Sequence, residues 1–460
     1  MRRILAITWL TWKAALRFRL FWVLAGLLAL TVFCLPLVLK DDGTARGFIQ
    51  ILLAYNLTVI TALLGLATLW LACGSLARDI EECQIQVVAV KPIARWQIWL
   101  GKWLGIMLLD ALLLALSGFA VYSLLLYRAA RLPEKEQTTL NNEIFVARAG
   151  LREPITDHSA EIEKIVGKKL KENTVNPVDP VLLRKQVQEQ VKAIDQVVPP
   201  NFVRKWEIDL GLRTKLLRHV PLFVRSKFFV GETNSTGTYM MEWRVGPPNS
   251  SKEASKFMSM AADTFLEFEI PPDLFDDKGK LTVQGINRSP VALFFPTDDG
   301  MEVLYREAGF GLNFARGLGV ILCWLGLLAA LGLFAASLLS FPVAAFLSLT
   351  LLLVGFSSGS LEQILDQRSV LGNINPSTAK TDHETVFDVV MLAVFRELLQ
   401  VVKIAEAFSP VDSLSSGRSI TWFELGRAFS EVVLLLGGSL GVAGVLIFNR
   451  RELATAQGVS

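Results

Sequence analysis

Residues 100–126 read LGKWLGIMLLDALLLALSGFAVYSLLL, and this stretch decides the fold class. Among its residues only Lys102 and Asp110 carry a charge. A helix needs about 20 mostly apolar residues to cross the hydrocarbon core of a bilayer, whereas a helix on the surface of a soluble domain keeps a polar face. The stretch therefore predicts a membrane-spanning helix.

The composition of the whole chain agrees with this interpretation. Of its 460 residues, 52% are hydrophobic and only 19% are charged, and the mean hydropathy is +0.44. Disordered and coiled-coil proteins carry more charge than this. A net charge of +3 gives no reason to expect nucleic acid as a partner. The four cysteines fall mostly inside apolar stretches, so no disulfide framework is expected.

Five apolar segments approach the length of a membrane span, and a sixth is shorter. The five are 20–39, 49–73, 100–126, 317–339 and 429–448. The sixth, 341–356, follows Ser340 and includes Pro342, and proline cannot continue the preceding helix, so a tight helical hairpin is expected there. The sequence predicts a membrane α-helical fold with six transmembrane helices.

Basic residues indicate the orientation of these spans. Six spans place the basic segments on one side: Arg2, Arg3, Lys13, Arg17, Arg19, Arg78, Lys91, Arg95, Lys102, Arg450 and Arg451. Lys and Arg are enriched in cytoplasmic loops, so both termini are predicted to be cytoplasmic in a multi-pass protein of the inner (cytoplasmic) membrane. The apolar run from residue 20 has no cleavage site, so the first span is expected to be retained.

Two further segments have an amphipathic pattern. Arg2, Arg3, Lys13 and Arg17 fall within a 100° arc, which predicts that 1–19 is an interfacial elbow helix on the cytoplasmic face before the first span. Charged residues of 385–408 fall mostly within an 80° arc, and the longest uncharged run there is too short to span. We expect an amphipathic or re-entrant helix on the outer face.

The polar segment 128–309 has the composition of a soluble domain and is predicted to be an extracytoplasmic α+β insert. Its first part, 128–200, is rich in Glu, Lys and Gln with several prolines, which favours short solvated helices. Its second part, 201–309, predicts a small antiparallel β-sandwich. The apolar or alternating runs are 227–230, 238–245, 264–270, 280–286, 290–295 and 301–305. With His158 and His219 as its only histidines and no cysteine, the domain has no metal or nucleophile spacing, so no cofactor, metal site or catalytic residue is expected.

The motif that indicates function is 78–105, RDIEECQIQVVAVKPIARWQIWLGKWLG. An acidic start precedes an apolar and polar strip, a Lys91-Pro92 stop, and a basic run with three indoles. This order suits a short helix lying across the membrane face with its acidic end presented to the cytoplasm, while the tryptophans fix the next span at the interface. An ordinary loop between spans has a similar composition.

This run resembles the inner-loop signature of type 2 permeases of ATP-binding-cassette (ABC) transporters. In that family an acidic pair, an apolar strip, a Lys-Pro or Arg-Pro step, an Arg-Trp pair and a Gly-Lys pair follow in order. Asp79, Glu81, Pro92, Arg95, Gly101 and Lys102 match those places. The resemblance covers about residues 1 to 127 and 310 to 455, whereas the large insert and Cys83-Gln84 depart from the family pattern.

The resemblance implies that 78–90 is a coupling helix that docks onto a separate ABC ATPase subunit. The residues expected to serve this contact are Asp79, Glu81, Glu82, Gln84, Pro92 and Arg95. The chain itself has no phosphate-binding P-loop, so it is not expected to be an enzyme, and ATP hydrolysis belongs to the partner. Six spans enclose little space, so a second permease copy or paralogue is expected, and 128–309 is a candidate for an extracytoplasmic partner.

Asp110 is the one charge deep in a predicted span, and an intramembrane carboxyl is expected to face a polar pathway or a packing partner. The main interpretation is a permease that couples ATP hydrolysis to substrate movement, in the direction of export. The alternative is a mechanical or signalling coupler that relays ATPase motion to the outer domain without solute passage. A membrane-embedded enzyme ranks third, because no second carboxylate or histidine in the spans accompanies Asp110.

Overall fold

The structure is a computed structural model that describes most of the chain. The described residues are 2–17, 19–38, 45–82, 93–154, 158–172, 180–211, 214–218, 220–231, 237–248, 250, 252–276, 279–297, 300–356, 359, 365, 386–406 and 408–451. They form two compact units. The helical unit comprises 1–147 and 308–460, and the β unit comprises 148–307.

The helical unit contains the long apolar helices. Its α-helices are α1 (Arg2–Arg17), α2 (Arg19–Val38), α3 (Ala45–Glu81), α4 (Arg95–Ala129), α5 (Glu134–Glu143), α9 (Phe310–Leu338), α10 (Phe341–Phe356), α11 (Val386–Glu406), α12 (Pro410–Ser415), α13 (Trp422–Ala428) and α14 (Gly438–Arg450). A π-helical segment, Phe429–Gly437, joins α13 to α14. Thr421 and Glu424 begin α13 with a reciprocal capping box.

Four helices of this unit are long and apolar enough to cross a membrane: Gly47–Glu81, Arg95–Ala129, Phe310–Leu338 and Trp422–Arg450. The bent pair of α1 and α2 makes a fifth if it is taken as one span. The chain is therefore a multi-pass membrane protein by these criteria, but the count does not reach the six predicted. Helix α10 has only 16 residues, and at 1.5 Å per residue it is about 24 Å long, shorter than the roughly 30 Å hydrocarbon core.

Small residues bring these helices close together. A Cβ atom built on Gly332 of α9 would lie 2.7 Å from the Cβ of Ala72 on α3, so the two backbones meet at a position that only glycine fits. Along α4, a Cβ built on Gly101 would lie 2.8 Å from Ile7, so α1 packs against the first turns of α4. Helix α1 covers most of the predicted elbow 1–19, and α11 covers most of the predicted helix 385–408.

The β unit contains short helices and three sheets. The strands are β1 (Val146–Leu151), β2 (Val197–Val198), β3 (Val203–Asp209), β4 (Leu222–Ser226), β5 (Phe229–Val230), β6 (Thr238–Val245), β7 (Ala254–Ala261), β8 (Leu266–Ile270), β9 (Lys280–Asn287), β10 (Leu293–Phe294) and β11 (Met301–Gly309). The helices are α6 (Ser159–Glu172), α7 (Pro180–Gln196) and α8 (Thr214–Leu217). The sheet orders are β1-β11-β4-β8, β2-β10-β5 and β3-β9-β6-β7. The pairs β3–β9, β6–β9 and β4–β11 are antiparallel, as the sequence predicts.

The boundaries of this unit differ from the predicted insert 128–309. Helix α4 continues to Ala129 and α5 belongs to the helical unit, so the β unit begins about 20 residues later than predicted. Strand β1 lies within 128–200, the part predicted to be helical. It is short and rich in small residues, and it is stabilised by pairing with β11, about 155 residues away, which no local pattern reveals. Four further strands, β2, β3, β4 and β7, also lie outside the predicted runs.

Candidate functional site

The segment 83–92, which lies outside the described residues, separates the end of α3 from the start of α4, and the residues on its two sides form the candidate site. Lys102 of α4 is nearly buried, with 8% of its side chain exposed. Its Nζ donates to Asp79 Oδ2 and to the carbonyl oxygen of Ser75, both at 2.5 Å and both on α3. A cation is favourable near the C-terminus of a helix, so Lys102 ties the end of α3 to α4.

Glu81, at the last residue of α3, binds the start of α10. Its Oε1 accepts a hydrogen bond from the backbone N–H of Phe341 at 2.8 Å. The first N–H groups of a helix have no partner within the helix, and a carboxylate there also interacts favourably with the helix dipole. The guanidinium of Arg78 lies 4.3 Å from the centroid of the same Phe341 ring, which adds a cation–π contact.

Arg95, the first residue of α4, binds the end of the last helix. Its Nη1 donates to the carbonyl oxygen of Phe448 and, at 3.0 Å, to that of Arg451. Arg451 in turn donates from Nη1 to the carbonyl oxygens of Ala336 and Ser337 in α9, both at 3.2 Å. Basic side chains thus satisfy carbonyl groups at the ends of α14 and α9. We call Asp79, Glu81, Arg95, Lys102 and Arg451 the Lys102 cluster.

Two tryptophans of the motif, Trp99 and Trp103, pack against other helices next to the Lys102 cluster. Trp99 is 5% exposed and packs on α14, where a Cβ atom built on Gly441 or Gly444 would lie 3.1 Å from its ring. Trp103 Nε1 donates to the Gly326 carbonyl oxygen of α9 at 2.9 Å. Of the three tryptophans in the motif, only Trp96 is largely exposed, at 48%.

The predicted coupling residues fall into three groups. Asp79, Glu81 and Arg95 bind other helices of this chain. Glu82 lies in a turn just after α3 and is exposed. Gln84 and Pro92 lie outside the described residues, as does most of the predicted coupling helix 78–90. No separate helix begins at Arg78, because α3 continues through Glu81. Arg78 and Glu81 are good helix formers, and Lys102 binds Asp79 within the last turn of α3.

Asp110 is 2% exposed and lies between α3 and α4. Its Oδ2 is 2.9 Å from Thr68 Oγ1, which is also 2.7 Å from the carbonyl oxygen of Leu64. The Thr68 hydroxyl donates to Asp110 Oδ2, and the Leu64 carbonyl oxygen of the same helix is an alternative acceptor for its proton. The structure therefore gives Asp110 a packing partner across two helices.

Asn313, near the start of α9, is a polar anchor that the sequence analysis missed. It is fully buried, its Nδ2 donates to the Arg418 carbonyl oxygen at 2.6 Å, and its Oδ1 accepts from the Ile420 N–H at 2.7 Å. These bonds tie the segment before α13 to α9. The only signal in the sequence is an asparagine at the edge of an apolar run, where a polar side chain needs a partner.

A cavity of about 410 Å³ opens among α4, α9 and α13. Apolar side chains and glycines line it, including Trp103, Leu322, Cys323 and Trp422. Asp110 does not line this cavity, so the structure does not join the buried carboxyl to it. The arrangement has no polar group suited to hold a charged ligand there.

Among the described residues, no group of three or more His, Cys, Asp or Glu side chains could hold a metal ion. No family model matches the chain, and neither the curated proteins nor the solved structures include a match. The arguments for function therefore come from the residues and the geometry described above.

Proposed function

We propose that the chain is the permease subunit of a type 2 ABC transporter, coupling ATP hydrolysis by a separate ATPase subunit to substrate export. In this proposal the chain has six spans in the inner (cytoplasmic) membrane, with α1 at the cytoplasmic interface and both termini in the cytoplasm. The sequence of the 78–105 motif and the basic residues around the span ends support it.

One observation carries the proposal: the segment 83–92 lies between two helix ends that are each fastened to further helices. On one side, Asp79 and Glu81 connect α3 to α4 and to α10. On the other side, Arg95 connects α4 to the end of α14. A displacement of 83–92 by a docked partner would therefore act on several spans together. Such a rigid arrangement suits a subunit that receives motion from outside and converts it into helix movement.

The contacts also indicate different roles for the residues of the 78–105 motif. Asp79, Glu81 and Arg95 bind other helices of the chain, so in our proposal they transmit force. Contact with the ATPase is proposed for Glu82, which is exposed, and for Gln84 and the residues up to Pro92. Charge-assisted contacts between Glu82 and basic residues of the ATPase would fit an exposed acidic side chain at this position.

A second permease copy or paralogue completes the transporter in this proposal, since six spans enclose little space and the cavity among α4, α9 and α13 is apolar. The β unit faces the outer side of the membrane and is available to an extracytoplasmic partner. The surrounding lipid contacts the exposed apolar side chains of the long helices, which include Phe119, Leu434 and Val442.

The test is co-purification of the tagged full-length chain from its native host, followed by identification of the bound subunits and an ATPase assay. We expect an ABC ATPase to co-purify with the wild-type chain. Glu82→Lys combined with Gln84→Lys should reduce its recovery and its stimulation by roughly 30-fold, because a desolvated charge contact is reversed. The control, Glu161→Lys with Glu163→Lys, makes a somewhat larger change of charge in the same direction in the β unit and should leave both unchanged.

Two results would contradict the proposal. One is the absence of any ABC ATPase among the subunits that co-purify with the wild-type chain. The other is equal ATPase recovery for the two double variants, which would make 83–92 an ordinary connection between two helices.

A further inference from the structure

A groove of about 1100 Å³ in the β unit runs beside the first half of β3. The groove is lined by two runs of consecutive residues, 202–206 at the start of β3 and 194–199 around β2. Helix α7 forms another side. Successive side chains of a strand point to opposite faces, so a cavity lined by five consecutive residues follows the edge of the strand rather than one face. At about 3.3 Å per residue, this edge is roughly 16 Å long.

β3 has a partner on one side only, since it is the first strand in the order β3-β9-β6-β7. The register shows which backbone groups point away from β9. The Leu210 N–H donates to the Gly279 carbonyl oxygen and the Asn287 N–H donates to the Phe202 carbonyl oxygen, so even-numbered residues of this strand face β9. The N–H and C=O groups of Val203 and Lys205 therefore point outward, into the groove.

Only one position of this outward edge has a partner among the described residues. The Glu207 N–H donates to Glu153 Oε1 at 3.3 Å, so a carboxylate of the same chain covers the end of the edge. At Val203 and Lys205 the described residues offer no hydrogen-bond partner to the outward groups. Native proteins usually cover or charge such an edge, because it is a template for pairing with another strand.

Arg204 adds a specific chemical requirement at the same place. Its guanidinium lies 5.0 Å from the centroid of the Trp206 ring, and its Nη1 is buried without a hydrogen-bond partner among the described residues. Burial lowers the pKa of Arg204, and the nearby carboxylates of Glu153 and Asp195 act in the opposite direction. A buried guanidinium nitrogen without an acceptor is unfavourable, and a carboxylate is the acceptor that fits it best.

Apolar side chains at the rim favour a polypeptide over a small anion. Ile194, Phe202 and Val203 are 69%, 64% and 53% exposed, and they flank the strand edge. Exposed apolar groups next to unpaired backbone groups are typical of surfaces that bind an extended peptide by strand addition. A free carboxylate ion would satisfy Arg204 but would leave the apolar rim and the outward groups of β3 unused.

We propose that this groove binds an extended segment of a partner polypeptide, which adds a strand to the outer edge of β3 and places an acidic side chain against Arg204. In an added strand, side chains alternate between the two faces of the sheet. The segment is thus expected to carry its acidic residue and an apolar residue at positions two apart, the acidic one in register with Arg204 and the apolar one in register with Trp206. This inference does not depend on the proposed transport function.

The probe is a library of random heptapeptides displayed on phage and selected on the purified full-length protein in detergent micelles. We expect enrichment of peptides with the acidic and apolar spacing described above. A synthetic enriched peptide should slow hydrogen exchange at the amides of Val203 and Lys205. Arg204→Gln should weaken its binding by roughly 30-fold, since the desolvated charge contact is lost, whereas Arg218→Gln, elsewhere on the β unit, should leave it unchanged.

A second variant keeps the test independent of Arg204. Val203→Pro removes one outward N–H, and proline is tolerated at an edge strand where that N–H faces away from the ladder, so this variant should fold and also lose binding. Three results would overturn the inference. The first is no enrichment of peptides relative to a selection on the Arg204→Gln protein, and the second is peptide binding without exchange protection at Val203 and Lys205. The third is that acetate displaces the bound peptide as well as free peptide does, which would make the groove a site for small acids only.

Discussion

Lys102 and Asp79 form an ion pair of 2.5 Å across α4 and α3, at the two helix ends that the segment 83–92 separates. The Lys102 side chain is 8% exposed and that of Asp79 is 35% exposed, so water screens the pair only in part. This pair holds the two helix ends together. Lys102, the lysine of the motif's Gly-Lys pair, therefore binds another helix of the same chain.

Lys102→Met should destabilise the protein by about 1.5–3 kcal/mol, because it removes charged hydrogen bonds to Asp79 and to the Ser75 carbonyl group. Unfolding by SDS titration, followed by tryptophan fluorescence, measures the change. The control is Lys164→Met on the exposed surface of α6, expected within about 0.5 kcal/mol of wild type. A cost of Lys102→Met no larger than the control would mean that the pair does not hold the helices.

Thr68→Val should cost about 0.6–1.7 kcal/mol, the range for hydrogen bonds between membrane helices, because it removes the hydroxyl that Asp110 contacts. Asp110→Asn keeps a hydrogen-bonding group of the same size, so we expect near-normal folding and near-normal stimulation of the bound ATPase. Folding is measured by SDS titration and coupling by the ATPase assay. If Asp110→Asn folds normally but no longer stimulates the ATPase, Asp110 has a role in a transport pathway. Unchanged stimulation is compatible both with a packing role for Asp110 and with a coupler that moves no solute.

Gly332→Ala should destabilise the helical unit by about 1–3 kcal/mol, since the added Cβ would lie 2.7 Å from the Ala72 side chain and 3.1 Å from the Leu69 carbonyl oxygen. Gly426→Ala is the matched control, because nothing lies within 4 Å of its added Cβ. The higher helix propensity of alanine should add up to about 1 kcal/mol of stability there. Thermal unfolding of the two variants in the same detergent should move in opposite directions. Equal shifts would contradict the close approach of α9 and α3.

The stability of the β unit should depend on pH through Glu242. Hydrogen bonds from Arg288 and then from Arg244 hold the pKa of the Glu242 carboxyl below its ordinary value of 4.5. A group whose pKa is lower in the folded state contributes stability above the unfolded-state pKa, and this contribution is lost as the pH falls through the folded-state value.

Glu242→Gln should therefore differ most from wild type near neutral pH, and the difference should shrink as the pH falls from 4.5 towards the lower folded-state value. Denaturant unfolding of both proteins from neutral pH down to about pH 3 measures it. A difference that stays constant over this range would mean that Glu242 acts through packing rather than through its charge.

Local pattern alone predicts the membrane class of this protein. The run 100–126 is apolar enough to span a membrane independently of the segments around it. The free-energy cost of placing a helix in lipid depends on its own composition and length. Composition also marks a polar insert between α4, which ends at Ala129, and α9, which begins at Phe310. Strand β1 lies in the part of this insert that was predicted to be helical, because its pairing with the distant strand β11 leaves no local pattern.

Only the tertiary structure decides which charged residues of the motif are used inside the chain. Asp79 and Glu81 read alike in the sequence, yet one binds Lys102 on α4 and the other binds the Phe341 N–H, 260 residues further along the chain. The tertiary structure also decides the surroundings of Arg204. Its Nη1 has no hydrogen-bond partner among the described residues, and it lies on β3, which is an edge strand. The physical reason for this difference is that the hydropathy of a span depends only on the residues of one helix. An ion pair or a strand edge exists only once separate elements are packed in three dimensions.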